Sequence, residues 1–490
     1  MSLGQRIRSG AVWLFVGNAG SQIIGFLLGI VVARLLVPED FGMLITLQVF
    51  TGLAGFVAGG GMGQALVRAK EVSTEDYDIV FTLQLIMGSL IYAVFFFSAP
   101  WFADWYGRPI YADLLRVSAL SFIFRPFVNL PGSLLHRDMR YKAQTVVKVT
   151  TLLLTNAICI GMAYLGYGVW SLIMGGIAGS VVSMVLLISL SKWRPGFSLD
   201  IRRGRDIARY GMLVTVTGIL LHLQRQVSVF ILSRTLGPAS VGLFNKGESL
   251  AKMPHGFITG SVYHVLFRAL AAEQDDPDKC RYMFFRSIAL VAVYATPFYV
   301  GLLWLAEPLI RGVYGANWVE AAAPLYILAF AWPFWLLDNL SGAVLSARNW
   351  LGREIPVQAV TLIISVLPVV IGLEHGLAGV AYAMVGVSIY SGLHMYWLAV
   401  RCLGARLSSV FAAIRPALIL NAVLAGALYG LDLVLPARVL ANDFLYLAVM
   451  GVIGGFVYVA AFLWVPIPAL AAEQQRWKSK LHFWSKRAPR

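Results

Sequence analysis

Ala33-Arg34-Leu35-Leu36-Val37-Pro38-Glu39-Asp40-Phe41-Gly42 returns two hundred residues later as Ser233-Arg234-Thr235-Leu236-Gly237-Pro238-Ala239-Ser240-Val241-Gly242. Arg, Leu, Pro and Gly occupy matching positions in the two copies. Each copy ends one long apolar segment and begins the next. A duplicated membrane unit allows two similar bundles to rock about a site between them, an arrangement common among transporters. Arg34 and Arg234 close their segments, where a positive charge is favourable at a helix C-terminus.

The chain around this repeat has 490 residues, of which 59% are hydrophobic and 13% charged. Its mean hydropathy is +0.75, whereas soluble domains carry about 25% charged residues. These values predict an all-α integral membrane protein. Residues 10–36 form a run too long for the apolar core of a signal peptide and read as a first span. Cys159, Cys280 and Cys402 lie far apart and suggest neither a disulfide framework nor a zinc site. No metal and no cofactor is expected. The net charge of +15 sits in short loops and the tail, which points to membrane topology and not to nucleic acid.

At ~20 apolar residues per crossing, breaks at charges and Pro/Gly clusters give about fourteen transmembrane helices. They lie near residues 10–34, 41–66, 78–99, 112–134, 143–164, 168–191, 208–232, 241–267, 286–306, 322–346, 355–373, 376–400, 412–433 and 444–465. Most lysines and arginines fall on alternate loops and the tail, among them Lys70, Arg137, Lys142, Lys192, Arg203 and Arg476. The opposite loops hold Arg34, Arg108, Arg116, Arg234, Arg311 and Arg438. This bias places both termini in the cytoplasm. The longest basic loop, near residues 192–209, divides the chain. Residues 1–200 form an N-lobe (spans 1–6) and residues 201–402 a C-lobe (spans 7–12). Residues 403–490 carry spans 13 and 14 and a basic cytoplasmic tail. That tail contains Trp477, Phe483 and Trp484 and suits the anionic leaflet or a docking partner.

Several segments appear in order and at characteristic spacing: Ala33–Gly42, Gly61-Met-Gly-Gln-Ala-Leu-Val-Arg-Ala-Lys70, Leu134-Leu-His-Arg-Asp-Met-Arg-Tyr-Lys142, Gly166-Tyr-Gly-Val-Trp-Ser-Leu172 and Gly242-Leu-Phe-Asn-Lys-Gly-Glu248. As a set, reaching to about residue 400, they resemble the bacterial polysaccharide flippases (Wzx/WzxC-like) of the multidrug/oligosaccharidyl-lipid/polysaccharide exporter superfamily. The resemblance implies two six-helix lobes in a V shape plus two extra C-terminal helices, in the bacterial inner membrane. It implies translocation of an undecaprenyl-diphosphate-linked oligosaccharide repeat unit by alternating access, for exopolysaccharide, capsule or O-antigen assembly. The expected partners are that lipid-linked oligosaccharide, membrane lipids, and polysaccharide polymerase or glycosyltransferase machinery.

Arg125, Arg225, Lys246 and Lys252 fall inside candidate spans, where a charge at mid-bilayer costs about 2.5–3.5 kcal/mol on insertion scales and normally faces a cavity or a partner. They are candidate ligands for the implied diphosphate, arginine as a bidentate donor and lysine as a point charge. Arg125 precedes Pro126, and bonding to carbonyls freed by a kink accounts for it equally well. Arg225 lies in Leu221-His-Leu-Gln-Arg-Gln226, a polar stretch within an apolar helix. His222 shares a face with Arg225 or with Gln226 there, and the binding role is preferred for all three. Glu248 and Lys252 can pair at i, i+4, which leaves Lys246 as the freer cation. Asp338 is either a coupling-ion site, with Glu248 as the other candidate, or the counter-ion of Arg225 or Lys252. Trp332 and Trp335 suit a sugar ring, although apolar packing is the commoner reason for such a pair. Asn18, Gln22, Gln48, Gln64, Gln84 and Asn129 suit sugar hydroxyls or glue between helices.

Two rivals were open to the same residues. A cation-coupled small-molecule exporter of the same fold would want carboxylates in an aromatic cavity, and the four intramembrane cations argue against it. A membrane enzyme acting on the glycan would want a large outer loop, whereas those near residues 101–111 and 306–321 are short. The sequence has no P-loop and no His-Glu-x-x-His, so no enzymatic activity is expected.

Overall fold

The computed structural model describes residues 3–68 and 72–485. Lys70 and residues 486–490 of the tail lie outside the described residues, as do the side chains of Asn18 and Gln64.

Every regular element described is helical. The first are α1 (Leu3–Leu35), α2 (Pro38–Gly59), α3 (Met62–Arg68), α4 (Thr74–Tyr106), α5 (Ile110–Ala119), α6 (Ser121–Arg137), α7 (Tyr141–Tyr164) and α8 (Val169–Ser191). Then come α9 (Ile201–Thr235), α10 (Gly237–Ala272), α11 (Pro277–Tyr314), α12 (Ala322–Ala329), α13 (Trp332–Ala347), α14 (Leu351–Gly372) and α15 (Gly376–Leu403). The chain closes with α16 (Ser409–Val434), α17 (Ala437–Leu440), α18 (Asp443–Trp464) and α19 (Ala471–Ser485). Among the described residues, eight helical stretches are long and apolar enough to cross a membrane, or nine counting one bent pair. One of them, Gly352–Leu403, is 52 residues long and contains both α14 and α15, which fold back on each other at Leu373–His375. The chain is a multi-pass membrane protein.

Each expected span falls on one helix or on a broken pair, and the breaks have local causes. The segment 41–66 splits into α2 and α3 because Gly60 and Gly61 both adopt the left-handed conformation, φ 54° and 60°. Gly60 donates its N–H to the Phe56 and Val57 carbonyls and so caps α2. The segment 322–346 splits into α12 and α13, bent by 55°, with Pro333 in the first turn of α13. The segment 112–134 splits into α5 and α6 at Leu120. Ser73 starts α4 with a capping box. Its hydroxyl accepts the Asp76 N–H at 3.3 Å, and Asp76 accepts the Ser73 N–H at 2.8 Å.

The chain forms two compact units, Met1–Gly242 and Leu243–Arg490. The first is built around Met43, Leu47, Phe102, Tyr111, Leu114 and Ile173. It includes α9, which packs on α2, α3 and α4 although the repeat aligns it with α1. The second is built around Phe284, Ile288, Trp332, Leu340, Leu420 and Met450.

Inside the first unit the two copies of the repeat meet. A Cβ on Gly42 would overlap the Pro238 carbonyl, and a Cβ on Gly242 would overlap the Pro38 carbonyl. The Gly42 nitrogen lies 3.2 Å from that same Gly242 position. Each copy ends its preceding helix alike, with the Leu36 N–H on Val32 O and the Leu236 N–H on Leu232 O. Arg34 and Arg234 occupy the last turns of α1 and α9, and Arg234 stacks over Trp105 at 5.3 Å.

Candidate functional site

In the first unit, polar side chains converge on a face of α2 that has no side chains of its own. Gly52, Gly55 and Gly59 fall at i, i+3 and i+7, one face of a helix. His222 from α9 lies on Gly52, where a Cβ would stand 2.9 Å from its Nε2. His222 Nε2 donates to the Val49 carbonyl at 3.0 Å. A carbonyl only accepts, so this contact fixes the proton on Nε2. The ring also packs against Phe56, 5.7 Å between centroids.

Arg125 from α6 lies on Gly55, where a Cβ would stand 2.9 Å from its Cζ. Its Nη1 is buried without a hydrogen-bond partner among the described residues. The carbonyl that Pro126 frees, that of Phe122, packs against Gly88 of α4 instead. Asn129, one turn along α6, has its Nδ2 3.7 Å from a Cβ on Gly59, and Ser133, one turn further, faces Gly63. Gln84 of α4 donates to the Gly59 carbonyl at 2.9 Å. Arg125 and His222 are therefore brought to one stretch of α2. Arg225, three residues beyond His222, is exposed, and Gln226 is half-buried.

In the second unit, α10 carries the remaining candidates. Lys246 is held over two rings, 4.8 Å from the centroid of Tyr314 and 5.2 Å from that of Trp318. Glu248 and Lys252 pair at 2.5 Å, with the lysine side chain 48% exposed and the glutamate 13%. Of the two lysines of this helix the more accessible is thus Lys252, because aromatic packing claims Lys246. Lys252 also lies 5.5 Å from the Trp335 ring. His255, one turn on, lies 6.1 Å from the same ring, its Nδ1 buried without a hydrogen-bond partner among the described residues.

Asp338 accepts a hydrogen bond from Ser391 at 2.8 Å, and Trp335 donates to Ser388 at 3.0 Å. Trp332 is buried and stacked on Tyr299 at 4.9 Å, which leaves no face for a sugar. Trp335 is half-buried beside Lys252 and His255. The sequence reasoning passed over His255 and the Tyr314–Trp318 pair. For His255 the signal was its three-residue spacing from Lys252. For the aromatic pair there was none, because α10 meets them only in three dimensions. Among the described residues no group of His, Cys, Asp or Glu is placed to hold a metal ion. What the arrangement offers is positive charge and hydrogen-bond donors on helices of a membrane protein, suited to an anion.

The sequence family described as polysaccharide biosynthesis protein matches residues 31–323. The teichuronic acid biosynthesis protein TuaB of Bacillus subtilis is 23% identical over 443 residues, 88% of this chain and 90% of that protein. The lipopolysaccharide biosynthesis protein WzxC of Escherichia coli is 22% identical over 404 residues, 82% of each. The solved structure of the lipid II flippase MurJ in an inward closed conformation aligns with a TM-score of 0.73 at 17% identity, covering 92% of this chain and 97% of that one. That last likeness is one of fold. The family match spans more than half of the sequence, from the end of α1 to the start of α12, and takes in both copies of the repeat: the chain belongs to the polysaccharide biosynthesis protein family.

Proposed function

We propose that this protein is a flippase that carries a lipid-linked oligosaccharide across the bacterial inner membrane for polysaccharide assembly, with both termini in the cytoplasm. The observation that carries the proposal is Arg225, an exposed guanidinium within α9. Such a charge is unfavourable in lipid and calls for an anionic partner or a hydrated space. An undecaprenyl diphosphate supplies the anion. In this reading Arg225 grips the phosphate oxygens, and Arg125, Lys246 and Lys252 are the further candidate cations. His222 and Gln226 are the further candidates for binding the substrate. The polyprenyl tail stays in lipid while the two lobes, residues 1–200 and 201–402, alternate in access, with residues 403–490 appended. Binding shifts the population toward the outward state only to the extent that the substrate prefers it. Asp338 and Glu248 are the candidates for a coupling ion.

The test is reconstitution in liposomes with an undecaprenyl-diphosphate oligosaccharide, comparing wild type with Arg225→Ala. Translocation by the wild type and its collapse in a folded variant support the proposal. Equal rates in the two remove Arg225 from the site. Transport of small organic cations in place of the lipid overturns the flippase reading.

A further inference from the structure

The first unit contains a cleft of about 1200 Å³ bordered by α1, α3, α6, α7 and α8, with polar side chains set among apolar ones. None of the charged residues assigned to the diphosphate lines it. Ligand sites for small molecules occupy about 300–1,000 Å³, so this one has room for several sugar rings.

Its walls are patterned. Gln144, Lys148, Thr151 and Thr155 of α7 all line it, at steps of four, three and four residues that put them on one face. Asn129, Ser133 and His136 of α6 line it from another side at the same kind of spacing. Gln22 of α1 and Ser183 of α8 contribute further hydrogen-bonding groups. Two helices in a membrane lobe thus turn polar faces into one space, where lipid would leave those groups without partners. Thr151 Oγ1 is buried and has no hydrogen-bond partner among the described residues, an unfavourable state for a hydroxyl unless a guest completes it. Among the described residues, those bordering the cleft include Lys148 and no carboxylate. That selects against a cation and for a neutral or acidic guest.

We propose that this cleft is a carbohydrate site that receives the glycan of the transported lipid. Hydroxyls and amides of Ser133, Gln144, Thr151 and Thr155 bond to sugar hydroxyls, and Lys148 faces an acidic sugar residue. The inference rests on the flippase reading for the source of the glycan, while the site itself rests on the cleft.

The experiment uses the full chain in phosphatidylcholine nanodiscs and saturation-transfer NMR with two soluble probes, a hyaluronate tetrasaccharide and neutral chitotetraose. Thr151→Val combined with Thr155→Val should weaken both sugars about tenfold, and Thr151→Ser alone should retain them. Lys148→Met should weaken the acidic sugar and spare the neutral one. Sugar binding unchanged by these variants, or no sugar binding by the wild type, overturns the proposal. A diazirine-bearing hyaluronate tetrasaccharide on the unmodified protein gives an answer even if the variants misfold. Labelling at residues that border the cleft, within 21–22, 63–67, 128–155 or 183–187, supports it, and labelling only elsewhere overturns it. A wild type that binds these sugars in the cleft but translocates no lipid-linked oligosaccharide sinks the flippase reading and leaves the cleft standing. Translocation without cleft binding sinks the cleft alone.

Discussion

Gly42 and Gly242 each accept the other helix start: the Pro238 carbonyl fills the space of a Gly42 side chain, and the Pro38 carbonyl fills that of Gly242. The duplicated motif is thus a contact with itself, as in an isologous interface folded into one chain. A backbone carbonyl inside a helix start cannot swing aside as a flexible side chain can.

Gly242→Ala is therefore expected to destabilise the protein by about 1–3 kcal/mol, the range for overpacking. Gly256→Ala, on the same helix with nothing within 4 Å of its Cβ position, should be neutral or slightly stabilising. Thermal unfolding of the purified variants in detergent compares them, and equal midpoints for the two would contradict the contact.

Arg125→Met removes a buried guanidinium whose Nη1 has no hydrogen-bond partner among the described residues. An apolar replacement of a buried charge is often neutral or stabilising by about 1–4 kcal/mol. The expected result is a midpoint equal to or above wild type together with slower translocation. A lower midpoint would mean that the arginine holds α6 on α2.

His222→Ala deletes the bond to the Val49 carbonyl and should lower stability by about 1 kcal/mol. His222→Gln, which keeps a donor, should recover part of the loss. Chemical denaturation in mixed micelles measures both, and no difference between them would argue that only ring packing matters.

Lys252→Met should reduce translocation more than Lys246→Met, because Lys252 is the more accessible of the two lysines of α10 while Lys246 is engaged by Tyr314 and Trp318. Initial rates in liposomes at matched protein content decide the order.

Asp276 caps α11 by accepting the N–H groups of Asp278 and Lys279, each at 3.1 Å. The Lys279 N–H, followed by the Lys279 ammonium, holds its carboxyl below the ordinary 3.8. A depressed carboxylate contributes stability that is present above 3.8 and is lost as pH falls through its lower native value. The wild-type midpoint should therefore drop more steeply below about pH 4 than that of Asp276→Asn. Parallel curves would show the cap to be insensitive to charge.

Much of this architecture was written in local pattern. Hydropathy located the helices because a crossing must satisfy its own backbone, and the repeat at Pro38 and Pro238 located two equivalent helix starts. The break at Gly60–Gly61 was visible as a glycine run, but the left-handed conformation of both residues is a property of the fold. The site was less legible. Glu248 and Lys252 pair as their spacing predicts. The engagement of Lys246 by Tyr314 and Trp318, and of Trp332 by Tyr299, depends on helices far apart in sequence. Periodicity reports which face of a helix a residue occupies and is silent on what that face meets.

Arg125 on Gly55 also bears on how the chain is made. Helices enter the membrane in order of synthesis, and α6 arrives with an arginine and two internal prolines. By then α2 is already in the bilayer, with a glycine face open to receive the guanidinium. A circular permutant beginning at α4 would insert α6 with no such host, so the order of helices along the chain is part of what makes this arginine tolerable during biogenesis.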